Sequence, residues 1–208
     1  MVNTYAIFHY RMETFTPKTF EIGELNGLSA KGIEEHLKLY KAYVNNVNLV
    51  LNKIKEYEKD LVANAYILSE LHRRFAFEFG GVRNHEYYFA SLSGGAAGLP
   101  ADSKLKEAIE KSGTTFEAWL MNFKALAMTR GIGWAMLYYD KETGQLLTQW
   151  VDEQHLGHLV SASPVLALDM WEHAYLFDYL PAEKKNYVEA FFANLNWQVI
   201  EDNFLKAI

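Results

Sequence analysis

From Leu28 to about Tyr57, apolar residues fall at three- and four-residue steps. Ile33, Leu37, Tyr40, Val44, Val47 and Leu51 recur on one side of a helix, with polar and charged residues between them. Ser29 stands at its start, where a hydroxyl suits the cap. The pattern predicts a second helical stretch from about Ala63 to Phe79. Gly80-Gly81 is expected to interrupt or bend it before it continues through Tyr88 and Leu92. Two shorter helices follow, at about Ser103–Lys111 and Thr115–Ala127. Then the period changes. Gly133–Tyr139 reads as a strand, Lys141-Glu142-Thr143-Gly144 as a hairpin turn, and Gln145–Val151 as the partner strand. Val165–Asp169 reads as a third, apolar strand, and Ala182–Leu195 closes the chain as helices. Residues 1–27, punctuated by Pro17, Gly23 and Gly27, read as an extended arm packed on the body.

The clearest linker is Ser93-Gly94-Gly95-Ala96-Ala97-Gly98-Leu99-Pro100. It divides the chain into residues 1–95, an arm and an α-helical hairpin, and residues 96–208, an α/β half with a three-stranded antiparallel sheet. The expected fold class is therefore α+β.

Composition narrows the function. At 208 residues, half of them hydrophobic and 15% aromatic, the chain can bury a substantial core. A net charge of −6, with no run of lysine and arginine able to track a phosphate backbone, argues against a nucleic-acid partner. The absence of cysteine excludes disulfides, thiolate metal sites and thiol nucleophiles. No apolar run approaches the roughly 18 residues that span a bilayer. The opening residues, Met1 to Ala6, lack the basic end and apolar core of a secretory leader. The expected location is the cytoplasm.

One segment carries specific chemistry: Asp169-Met170-Trp171-Glu172-His173-Ala174-Tyr175. Asp169 and His173 are four residues apart, which places them on one face of a helix and also allows convergence from a loop. A hard oxygen donor beside a borderline nitrogen donor suits manganese or iron better than calcium or magnesium. His36, in Ile33-Glu34-Glu35-His36-Leu37-Lys38-Leu39-Tyr40-Lys41-Ala42-Tyr43-Val44-Asn45-Asn46, and His85, in Gly80-Gly81-Val82-Arg83-Asn84-His85, supply two more imidazoles.

With these segments and the Asn194-Leu195-Asn196-Trp197 ending, the chain resembles the iron/manganese superoxide dismutase family from about Leu28 to Trp197. The resemblance implies conversion of superoxide to oxygen and hydrogen peroxide by redox cycling of one Fe or Mn ion per subunit. It also implies His36, His85, Asp169 and His173 as ligands, two from each half. Tyr43 is the implied gatekeeper at the open side of the metal. It follows His36 by seven residues, where most members have eight, and Leu39-Tyr40 stands where they have a histidine pair. A π-bulge can absorb such a difference, while a rival alignment puts Glu35 at the ligand position. His9, His72 and His158 are read as structural.

In the family a glutamine near the metal's solvent comes from one of two places. The first corresponds to Gly81; the second falls within Asp152-Glu153-Gln154-His155, where the role is assigned to His155, with Gln154 as runner-up. Ala167 is a further position expected to tune the metal. Glu172 and Tyr175 are implied at the interface of a homodimer, with Tyr40 in place of a missing interface histidine. Trp134, Trp171 and Tyr87 are expected to wall the pocket. The altered first helix and the glycine at position 81 motivate an alternative, a metal-binding member that has lost dismutase activity.

Overall fold

A computed structural model describes residues 13–208. His9 and the first part of the expected arm lie outside the described residues. Two long helices, α1 (Ala30–Tyr57) and α2 (Ala65–Leu92), form the N-terminal hairpin. They are followed by α3 (Lys104–Lys111), α4 (Phe116–Ala127), β1 (Gly133–Asp140), β2 (Gln145–Asp152), β3 (Ser163–Asp169), α5 (Lys184–Asn194) and α6 (Trp197–Ala207). The sheet has the order β2-β1-β3 and is antiparallel throughout.

The caps explain where the helices start. Ser29, Ser103 and Thr115 each accept a hydrogen bond from the amide three residues on, at the heads of α1, α3 and α4. Such a cap contributes about 1 kcal/mol. On α1 the buried side is His36, Tyr40, Val44, Val47, Val50 and Ile54. A potential metal ligand thus sits in the apolar stripe itself.

The expected break at Gly80-Gly81 is absent: α2 runs unbroken through both glycines to Leu92. Their function is clearance. A Cβ on Gly80 would lie 2.0 Å from the Gln154 carbonyl oxygen, and one on Gly81 would lie 2.3 Å from Cδ1 of the Tyr43 ring. Helical hydrogen bonding tolerates glycine at a cost of roughly 1 kcal/mol each relative to alanine. Here close packing supplies the reason for that cost.

β3 is an edge strand, yet Val165 to Asp169 are all fully buried. The helices α2 and α6 pack against it, so a near-continuous apolar run replaces alternation. The helix α6 goes beyond the expected closing helices. Its buried residues Ile200, Glu201, Phe204 and Ala207 follow a helical spacing behind an Asn196 cap.

The ending Asn194–Trp197 fastens the halves together. Asn194 makes paired hydrogen bonds with the main chain of Asn26, at 2.8 and 2.7 Å. Asn196 N donates to the Ser91 carbonyl at 2.8 Å, and Trp197 N donates to that of Ala97 at 2.9 Å. Among the described residues, no helix is long and apolar enough to cross a membrane.

Candidate metal centre

His36 and His85 come from the facing sides of α1 and α2. Asp169 is the last residue of β3, and His173 lies in the single helical turn Glu172–Ala174 that follows. The four do not share a helix, but one donor atom from each lies within 4.8 Å of every other. Asp169 Oδ2 is 3.1 Å from His36 Nε2, 3.2 Å from His173 Nε2 and 3.5 Å from His85 Nε2. A first-row ion with bonds of about 2.1 Å spaces its ligands by about 3–4 Å. Three of the four residues are buried, and His173 keeps 21% side-chain exposure.

The surroundings fix what each donor presents. His85 Nδ1 lies 2.6 Å from the Gly81 carbonyl. A carbonyl only accepts, so the proton sits on Nδ1 and the Nε2 lone pair faces the cluster. That Nε2 is buried with no hydrogen-bond partner among the described residues, an arrangement costly for a polar atom unless a ligand completes it. Burial pushes the His85 imidazole down to about 3 and lowers His36 as well, against the raising pull of Asp169, so both are neutral donors. Burial alone would raise the Asp169 carboxyl, but His173 and His36 reverse this and hold it below the usual carboxylate range. Trp171 N also donates to its Oδ1 at 2.8 Å, and the Tyr187 hydroxyl donates to its main-chain carbonyl at 2.7 Å. Three imidazoles and one ionised carboxylate converging in a largely buried site fit an iron or manganese ion.

Glu35, the rival ligand, pairs instead with Lys31 at 2.7 Å and Lys38 at 3.0 Å at the surface. α1 is regular α-helix from His36 to Tyr43, so the spacing of seven needs no bulge: two turns bring both residues to one side. Tyr40, expected at an interface, is wholly buried inside the chain. Its hydroxyl accepts from Lys18 N at 2.9 Å and donates to Glu86 at 3.3 Å.

Next to the cluster stands Gln154, fully buried, with its Nε2 donating to Tyr43 Oη at 3.0 Å. Trp134 Nε1 donates to Gln154 Oε1 at 3.0 Å. An indole can only donate, so the amide is locked with its NH₂ toward Tyr43. His155, the neighbour given this role from sequence, packs its ring edge-on to Phe77 at 5.6 Å, and its Nδ1 is buried with no hydrogen-bond partner among the described residues. Glu153, just before Gln154, has a left-handed φ of +52°. Trp134 lies edge-on to His85 at 5.0 Å and Trp171 stacks on His173 at 5.6 Å, walling the site. Ala167 is fully buried on β3.

Known proteins give the family. Residues 27–93 match the profile "Iron/manganese superoxide dismutases, alpha-hairpin domain", and residues 101–203 match "Iron/manganese superoxide dismutases, C-terminal domain". The chain belongs to the iron/manganese superoxide dismutase family. It is 35% identical over 195 residues to the superoxide dismutase [Fe] of Cupriavidus metallidurans, covering 92% of this chain and 96% of that one. It is 34% identical over 192 residues to the mitochondrial superoxide dismutase [Mn] of Glossina morsitans morsitans, covering 90% and 87%. The superoxide dismutase [Fe] of Aquifex pyrophilus is 33% identical over 189 residues, covering 88% and 87%. The reaction is the dismutation of superoxide at a single site of three histidines and one aspartate.

Proposed function

We propose that Tyr43 and Gln154 act together beside the His36, His85, Asp169 and His173 site to manage the protons of the reaction. Two superoxide anions and two protons become oxygen and hydrogen peroxide, so proton supply matters as much as electron transfer. The bound iron or manganese supplies the one-electron exchange. Burial above all, with the charges of Asp169 and Glu78 adding to it, raises the Tyr43 phenol beyond its ordinary value and keeps it protonated. Its oxygen accepts the Gln154 amide, so its own O–H is free to donate into the site. That 3.0 Å contact is the observation that carries the reading. The alternative of a member that binds metal without turnover drew on the altered first helix and on the lack of a side chain at Gly81; the Gln154 amide that reaches Tyr43 speaks against the second ground. Loading iron and manganese separately, then measuring superoxide consumption per bound metal, tests the activity and identifies the working ion. Replacing Gln154 by leucine tests the pairing.

A homodimer through Glu172 and Tyr175 is the assembly we favour. Glu172 is exposed in the single chain and adjoins His173, a metal ligand whose ring is still partly open. A carboxylate from a second copy would orient that imidazole and close the site. Sedimentation of wild type and Glu172→Ala tests this, with a shift toward monomer expected for the variant. The boundary at 95/96 falls at two exposed glycines with left-handed φ of +79° and +84°, and limited proteolysis there is its test. Cytoplasmic placement is the location we favour, with which a chain free of cysteine is compatible, and fractionation against compartment markers tests it.

A further inference from the structure

Gln154 faces Tyr43 and Trp134 with its side chain, but its main-chain carbonyl is bound on the other side of the loop. Asn84 Nδ2 donates to it at 3.1 Å, and His158 Nε2 lies 3.1 Å from it. The carbonyl only accepts, which places the His158 proton on Nε2. His158 Nδ1 is then a lone pair, directed at Tyr138 Oη 2.5 Å away. Burial lowers the His158 imidazole, despite the opposing bond to Gln154, and so favours this neutral form.

Each end of this bridge is fixed. Tyr138 is 1% exposed and lies where the β1–β3 register shifts: Leu137 pairs with Leu166 but Tyr138 with Pro164. Bulges of this kind re-aim side chains. Asn84 precedes the ligand His85 on α2. The loop between them contains the left-handed Glu153, a conformation that costs about 1 kcal/mol or more unless its surroundings hold it. Gly80 provides the clearance that lets the carbonyl approach α2.

We propose that His158 is a positioning residue of the dismutase site. By bridging Tyr138 to the Gln154 carbonyl, it holds residues 152–156 so that the Gln154 amide meets Tyr43, and it contributes through Gln154 to the reduction potential of the bound metal. This rests on the pairing of Gln154 with Tyr43 proposed above, and adds that the same amide tunes the potential of the metal. A histidine that merely stapled the loop would stabilise the fold without touching the potential.

The test compares midpoint potentials and thermal midpoints of the iron-loaded protein for wild type, Gln154→Leu, His158→Leu, the double variant and His158→Gln. The leucine at 158 is expected to move the potential in the same direction as Gln154→Leu and to lower activity roughly tenfold. The double variant should move the potential no further than Gln154→Leu alone, since both act through one amide. Glutamine at 158 retains a donor near the Nε2 position and should restore most of the wild-type value. A lowered thermal midpoint with an unmoved potential in His158→Leu, or additive shifts in the double variant, would overturn the proposal while leaving the role of Gln154 intact. No shift of potential in Gln154→Leu would overturn this proposal, whereas unchanged activity per bound metal in that variant would overturn the proton role of Gln154. If the leucine variant does not fold, Tyr138→Phe carries the same comparison.

Discussion

Asp169 Oδ2 lies 3.1 Å from His36 Nε2, across 133 residues of chain and from opposite halves of the molecule. The contact brings a fully buried carboxylate onto an imidazole that burial keeps neutral. Asp169→Asn keeps the volume but replaces the anion by a neutral amide. We expect metal affinity to fall more than about 100-fold, beyond the loss typical of a supporting residue. Elemental analysis after dialysis against a chelator series measures it.

His85→Ala removes a donor whose tautomer is set by Gly81. The variant is expected to purify without stoichiometric iron or manganese and without dismutase activity. Full metal content together with full activity would refute the ligand set.

Gln154→Leu should retain its metal, because both ends of the Gln154 amide are engaged by Tyr43 and Trp134, yet lose roughly 10- to 100-fold in activity. Assaying superoxide consumption per bound metal separates this from simple metal loss.

Gly80→Ala gains helix propensity of about 1 kcal/mol but drives a Cβ to 2.0 Å from a main-chain oxygen. The Gln154 carbonyl cannot rotate away as a side chain would. A net destabilisation of about 1–3 kcal/mol is expected, read as a drop of several degrees in thermal midpoint.

The metal-free protein should lose stability in acid. His85 is held near 3 in the folded state and His36 is lowered too, against 6.5 for an ordinary histidine. Between those values the unfolded chain binds more protons, so stability rises with pH there, by up to about 1.4 kcal/mol per pH unit for each histidine. It declines as pH falls from about 6.5 toward 3 and levels off above about 7. Urea denaturation of metal-free protein across that range tests the sign.

Much of this was legible in the sequence because local pattern and fold agree. The three-residue step from Ser29 to Gly32 marks the head of α1, and strand period with a Thr143-Gly144 turn marks the β1–β2 hairpin. The four ligands are legible through their order and neighbours. Tertiary packing hid the rest. Glycines at 80 and 81 signal a break when read locally, whereas the Gln154 carbonyl and the Tyr43 ring pressed against α2 are what require them. His155 looked like the chemical residue of its segment, but the buried amide that meets Tyr43 and Trp134 belongs to its neighbour Gln154, and only tertiary packing shows that. Tyr40 continues the apolar stripe of α1, and that period, taken alone, already indicated burial.

Anomalous diffraction from crystals of metal-loaded protein, recorded at the iron or manganese edge, locates the ion relative to the four ligands. One strong peak per chain is expected, within bonding distance of His36 Nε2, His85 Nε2, Asp169 Oδ2 and His173 Nε2. A metal held by other residues, or no peak among these four in a preparation that consumes superoxide, would contradict this ligand set.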